Sequence, residues 1–179
     1  MDQASITEKM ESRFGDAIIA KTDSCGQHAI TVRAGDLLSV ATHLRDDAEL
    51  SMNMLVDIAG VDYLEFPLDE NGEGRGWRYE VVYQFMSLGK NHRYRVKVAV
   101  DEDDLHVPTL ATNWGVANWM EREVYDQFGV IFDGHKNLVR ILNHHEFEGH
   151  PLRKDYPINR RQKLSKPIEH IIPEDPEWA

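Results

Sequence analysis

Residues 78–100 constrain the fold more tightly than any other stretch, because they spell a hairpin. Tyr94, Val96 and Val98 alternate with Arg93, Arg95 and Lys97. A period of two sends one set to a buried face and the other to a wet, cationic face. Gly89-Lys90-Asn91 supplies turn residues between this run and the strand expected over 78–88. Residues 52–64 are rich in apolar and β-branched side chains and extend the pair to a three-stranded antiparallel meander. Two shorter strands, 16–21 and 28–33, flank a Ser24-Cys25-Gly26 turn.

Three helices follow from a different period. Ile6, Met10 and Phe14 form a stripe within residues 3–14, and Leu37, Leu38, Ala41 and Leu44 form one within 36–46. The strongest spans 116–128, where Val116, Met120, Val124 and Phe128 lie four apart with Trp119 beside them, and Gly129 stands at the C-cap position. This stripe, with Trp119 and Phe128, reads as core. Trp114 and Tyr125 read as interface aromatics. The fold class expected is α+β: an antiparallel-rich mixed sheet backed by helices, with an extended irregular C-terminal arm. Five prolines, at 151, 157, 167, 173 and 176, break any long helix after residue 143. The organisation expected is therefore a compact domain over 1–143 and an arm over 144–179 that is ordered by docking on another surface.

Charge narrows the function. The net charge is −11, which makes nucleic acid a poor partner. It is unevenly spread: −12 over residues 1–151, +5 over 152–166 and −4 over 167–179. A basic segment on an acidic body suggests docking. The single cysteine, Cys25, makes no internal disulfide and cannot alone ligate an iron–sulfur cluster, which takes about four protein ligands. Cys25 also has no identifiable base for nucleophilic work. The segment 1–14 has neither the apolar core of a signal peptide nor an arginine-rich transit pattern, and no apolar run approaches the ~20 residues of a membrane span. A soluble protein is expected, held at any membrane only by partners.

Several patterns invite chemistry. Residues 69–80, ending at Glu80, approach an EF-hand loop, but Glu73 and Gly76 stand at the wrong positions and the flanks read as strands. A hairpin loop is the plainer reading. His135, His144, His145 and His150 could supply a metal site, although His144 and His145 are adjacent and the segment is not helical; loop or interface histidines are the plainer alternative. Glu121, Glu123 and Asp126 offer carboxylates for acid–base work, or for ion pairs with Arg122, Arg140, Arg153 or a partner.

The stretch Glu121-Arg122-Glu123-Val124-Tyr125-Asp126-Gln127-Phe128-Gly129, followed by Phe132, Gly134-His135 and Arg140-Ile141-Leu142, resembles the 30 kDa subunit family of respiratory complex I, the C subunit of the bacterial enzyme. So does Phe147-Glu148-Gly149-His150-Pro151-Leu152-Arg153-Lys154-Asp155-Tyr156-Pro157, and, more weakly, Asp57-Ile58-x-Gly60-Val61-Asp62-Tyr63. The resemblance implies a peripheral-arm component of proton- or sodium-translocating NADH:quinone oxidoreductase, on the cytoplasmic face of the bacterial inner membrane. It implies no catalytic, cofactor-binding or metal-binding residue in this chain. FMN, iron–sulfur clusters, NADH and quinone would belong to partner subunits. The D subunit of the complex would be the principal partner, with the B subunit and other peripheral-arm components nearby. The expected interface is the set Glu121, Arg122, Glu123, Tyr125, Asp126, Phe128, Gly129, His135 and Arg140 together with Gly149, His150, Pro151, Leu152, Arg153, Lys154, Asp155, Tyr156 and Pro157. Charge reversal at Arg153 and Lys154 together is expected to weaken assembly and spare the fold. Related subunits of membrane-bound hydrogenases, or of ferredoxin- and F420-driven complexes, are the near alternative. A small metal-dependent hydrolase using His144, His145 and His150 is the distant one.

Overall fold

The computed structural model describes residues 2–66, 74–163 and 165. Helix α1 (Gln3–Phe14) starts at Asp2, whose carboxylate accepts the Ser5 amide, and buries Ile6 and Met10. Strands β1 (Ile18–Ser24) and β2 (Gln27–Arg33) form a tight hairpin through Cys25 and Gly26, both at positive φ. Residues 16 and 17, expected at the head of a strand, lie instead in a short 3-10 turn over Gly15–Ala17. Helix α2 (Leu37–Asp46) leads to β3 (Met54–Asp62), β4 (Tyr79–Ser87) and β5 (His92–Val100). The three pair as the expected antiparallel meander.

One sheet results, in the order β1-β2-β5-β4-β3, with β2 parallel to β5. Its register explains its two faces. Ile30, Val96, Tyr83 and Ile58 form one row across four strands, and all are buried. The next row, Thr31, Lys97, Val82 and Ala59, points the other way. The first face carries the core, which joins Ile6 and Met10 of α1 and Val40 and Leu44 of α2 to the sheet. The other face holds Glu80, buried and bonded to the Tyr63 hydroxyl at 2.9 Å and the Trp77 indole at 3.1 Å, with Arg75 and Lys97 beside it. Glu80 thus sits in a strand; residues 69–73 of the loop considered for calcium lie outside the described residues.

Helix α3 (Ala117–Phe128) crosses the same core face near β3. It is flanked by β6 (His106–Pro108) and β7 (Ile131–Asp133), a parallel pair too short for periodicity to reveal. Gly60 on β3 makes room for α3: a Cβ there would meet the Phe128 ring at 2.4 Å. The buried stripe of α3 differs from expectation. Ala117, Glu121, Val124 and Phe128 are buried, whereas Val116 and Trp119 are exposed. A strict four-residue spacing drifts about 40° per step against a 3.6-residue turn. The mixed spacing 117/121/124/128 holds one face better than 116/120/124/128. The two tryptophans consequently exchange roles: Trp114 is 6% exposed and in the core, and Trp119 is 59% exposed.

Candidate functional site

Every helix ends with carbonyls that lack an intrahelical partner. At the end of α3, Gly129 takes φ +80° and its amide bonds the Tyr125 carbonyl at 2.8 Å, closing the last turn. The next carbonyls are met from far along the chain. His150 Nδ1 donates to the Asp126 carbonyl at 3.0 Å, the Leu152 amide to Gln127 at 3.2 Å, and Arg153 Nε to Phe128 at 2.6 Å. His150-Pro151-Leu152-Arg153 is thus a helix cap supplied by a remote segment, with the Arg153 cation at the negative end of the helix dipole. Gly129 is needed twice, for its left-handed backbone and for space. A Cβ there would meet Arg153 Nη2 at 2.4 Å and His150 Nε2 at 2.6 Å.

The Asp126 side chain ties in the segment between helix and cap. One carboxylate oxygen accepts the amides of Ile141, Leu142 and Asn143 at 3.1, 2.8 and 2.8 Å. The other takes Arg140 Nη1 at 2.7 Å and Asn143 Nδ2 at 3.0 Å. Arg140 reaches on to the Gly149 carbonyl at 2.8 Å. Burial opposes ionisation of Asp126, but these five donors outweigh it, holding its pKa at about 2. A second ionic knot lies beyond the cap. Arg78 grips Asp62 with two bonds, at 3.1 and 3.0 Å, and meets Asp155 at 2.9 Å, while Asp62 also accepts the Lys154 amide at 2.9 Å. The Asp62 carboxyl lies below its usual range: burial resists, and the Arg78 and Lys154 bonds prevail.

Near the other end of α3, buried Glu121 accepts the Leu110 amide and the Thr109 hydroxyl, and His135 Nε2 lies 4.0 Å away. Its few donors do not offset burial, and its pKa is pushed up to about 7. His135 itself bonds the Asn118 carbonyl at 3.2 Å.

The description "Respiratory-chain NADH dehydrogenase, 30 Kd subunit" belongs to a family model that matches residues 30–162, from β2 to beyond the cap. The chain belongs to this family. Among its relatives are the C subunits of NADH-quinone oxidoreductase from Roseiflexus sp., 41% identical over 90% of this chain and 88% of that one, and from Burkholderia multivorans, 39% identical over 87% and 76%. The fold is similar to that of a trypsin-resistant fragment of Nqo5, at TM-score 0.63 and 32% identity, covering 74% of this chain and 98% of the fragment. A chain of an archaeal membrane-bound sulfane sulfur reductase has the same fold at TM-score 0.67 and 21% identity, covering 87% of this chain and 86% of that one.

In this member of the 30 kDa subunit family, most of the motif residues serve the chain's own packing. Glu121 and Asp126 face inward into separate clusters, while Glu123 is exposed, so 123 and 126 do not share an environment as their spacing suggested. Asp126 pairs with Arg140 and not with Arg122. Arg122 instead bonds the Val139 and Arg140 carbonyls at 3.0 and 3.2 Å and stacks over Trp119. Tyr125 is half-buried, edge-on to His150. Tyr156 stacks on Phe147 and lies against Gly149, where a Cβ would be 3.0 Å from its ring. Arg153 also sits over the Tyr79 ring, so reversing its charge would disturb the fold, contrary to the sequence expectation; Lys154 is the separable residue.

Residues 144–163 are irregular, as expected, and are fastened to this chain's own body. Positions 164 and 166–179 lie outside the described residues. Leu152, Lys154, Asp155 and Pro157 remain exposed on the cap segment. The four histidines considered for a metal have different surroundings: His135 near Glu121, His144 against Phe147, His145 beside Glu146 and His150 in the cap. Among the described residues no three His, Cys, Asp or Glu side chains gather as a metal would need, and no helix is long and apolar enough to cross a membrane. Cys25 is exposed at the β1–β2 tip. Sequence reasoning missed the site roles of Arg78, Thr109 and Leu110. Asp62, already in the weak upstream motif, was the one available signal.

Proposed function

We propose that this chain is the C subunit in the peripheral arm of NADH:quinone oxidoreductase, acting as a non-catalytic scaffold. It packs principally against the D subunit, near the quinone-reducing module that D forms with the B subunit. The route from NADH through FMN and iron–sulfur centres to quinone runs in partner subunits, and this chain holds their geometry. The complex places it peripherally at the cytoplasmic face of the inner membrane. One observation carries the reading: a self-capped framework presents large apolar side chains outward, with Phe66 66%, Trp119 59% and Leu152 53% exposed. Such exposure on an ordered frame suits a surface completed by other polypeptides.

A second reading keeps the fold and changes the machine, because the sulfane sulfur reductase chain shares this fold in a different respiratory complex. Hydrogenase-type and ferredoxin- or F420-driven complexes fall in the same class. The names of relatives near 40% identity favour the NADH-linked one. Affinity purification of the tagged chain from native membranes in mild detergent tests this. Recovery with the other components of NADH-quinone oxidoreductase, the D subunit most abundantly, is expected. Recovery with a hydrogenase or sulfur-reducing module, or of the chain alone, would overturn the reading.

A further inference from the structure

Three motif segments converge on one open cleft of about 340 Å³, between residues 60–66 and 152–154. Val61 and Phe128 line its apolar interior, Phe66 and Leu152 stand exposed at its edge, and Asp62 and Lys154 add the polar groups. The backbone at Leu152 and Lys154 is pinned. The Leu152 amide is bonded to the α3 terminus, the Lys154 amide to Asp62, and Arg153 between them to Phe128. The side chains of Leu152 and Lys154 therefore project from a fixed frame. Among the described residues the Lys154 ammonium meets no carboxylate. Apolar groups held in position beside an unpaired cation form a preorganised receptor.

We propose that this cleft docks a segment of a partner subunit that inserts an apolar side chain between Phe66 and Leu152 and pairs a neighbouring carboxylate with Lys154. Charge argues for the acidic partner: among the described residues that line the cleft, Lys154 is the one cation, and the one anion, Asp62, is already paired with Arg78. A cation at the lip of the cleft favours a segment that carries a carboxylate and disfavours one that is basic. The inference rests on the scaffold reading proposed for this chain, which names no contact residue of the partner.

Two measurements on the native complex test it. A zero-length carbodiimide cross-linker, followed by peptide mapping, should join Lys154 to an Asp or Glu of another subunit. Linkage to this chain's own residues 167–179, or to a second copy, or no linkage at Lys154, would overturn the proposal. Leu152→Ser and Lys154→Glu should each keep the unfolding midpoint of the isolated chain and weaken its recovery with the complex. The loss expected for a buried anchor is roughly 30-fold, and Lys154→Arg should restore recovery. Normal recovery of both variants would remove the cleft and leave the scaffold reading intact. Failure of the wild-type chain to co-purify with any partner would remove both.

Discussion

The two ends of α3 are treated in opposite ways. At its start the helix amides meet only the turn before them: the Ala117 amide bonds the Trp114 carbonyl, Asn118 that of Gly115 and Trp119 that of Val116, and no side chain caps them. Val116 and Trp119 are left exposed there. At its end, carbonyls of three consecutive residues are closed by His150, Leu152 and Arg153. Hydrogen bonds at the first end are local in sequence and cost little chain entropy. Those at the second cross some 24 residues and order a segment that has no repeating structure. The difference teaches where the motifs act: the distant ones are the two halves of one cap, a helix terminus and the strap that closes it.

The largest effect is expected from Asp126→Ala. It removes the partner of Arg140 and leaves three backbone amides unmatched, and breaking a buried ion pair costs roughly 3–5 kcal/mol. Denaturant unfolding should show that loss, and limited proteolysis should cut within residues 140–163. An intact strap would break the comparison. The wild type carries a related acid sensitivity. The Asp126 pKa lies at about 2 against 3.8, so its stabilisation is present above about pH 4 and fades as pH falls toward 2.

Glu121→Gln should act in the opposite direction. Burial raises the pKa of Glu121 from 4.5 to about 7, so its folded state favours the protonated form. Stability from that preference is full below pH 4.5 and is lost as pH rises through 7. The glutamine variant has no such loss. Its stability relative to wild type should therefore grow between about pH 4 and pH 8, by up to roughly 3 kcal/mol. A constant difference across that range would contradict the assignment.

Trp119→Ser, at the open end, should change the stability of the isolated chain by no more than about 0.5 kcal/mol, because the ring is mostly exposed. A loss above about 2 kcal/mol by thermal melting would mean that the indole packs into the core after all.

Much of the fold was legible. The alternation of Arg93–Val98 marked the dry face, and Gly129 the helix end, because both signals are local; the opposite face is cationic as expected but partly covered, with Lys97 beside buried Glu80. The parallel pairing of β2 with β5 was not legible, since it joins strands more than sixty residues apart without a pattern of its own. The site divides in the same way. Glu121, Asp126 and the His150–Arg153 run stood out by resemblance, yet their inward direction depends on where α3 lands. Spacing by four puts Trp119 in the core only because it ignores helical drift. Arg78 looks like any other arginine until Asp62 and Asp155 are brought to it.

Residues 150–153 cap α3 in the chain by itself, and the Lys154 amide beside them is tied to Asp62. Amide hydrogen exchange of the isolated wild-type protein tests it directly. The Leu152 and Lys154 amides, bonded to Gln127 and Asp62, should exchange at rates near those of α3, with Ile141, Leu142 and Asn143 similarly slow. Exchange of these five amides at the rate of open coil, with α3 still protected, would contradict it and make the strap a structure that only a partner can impose.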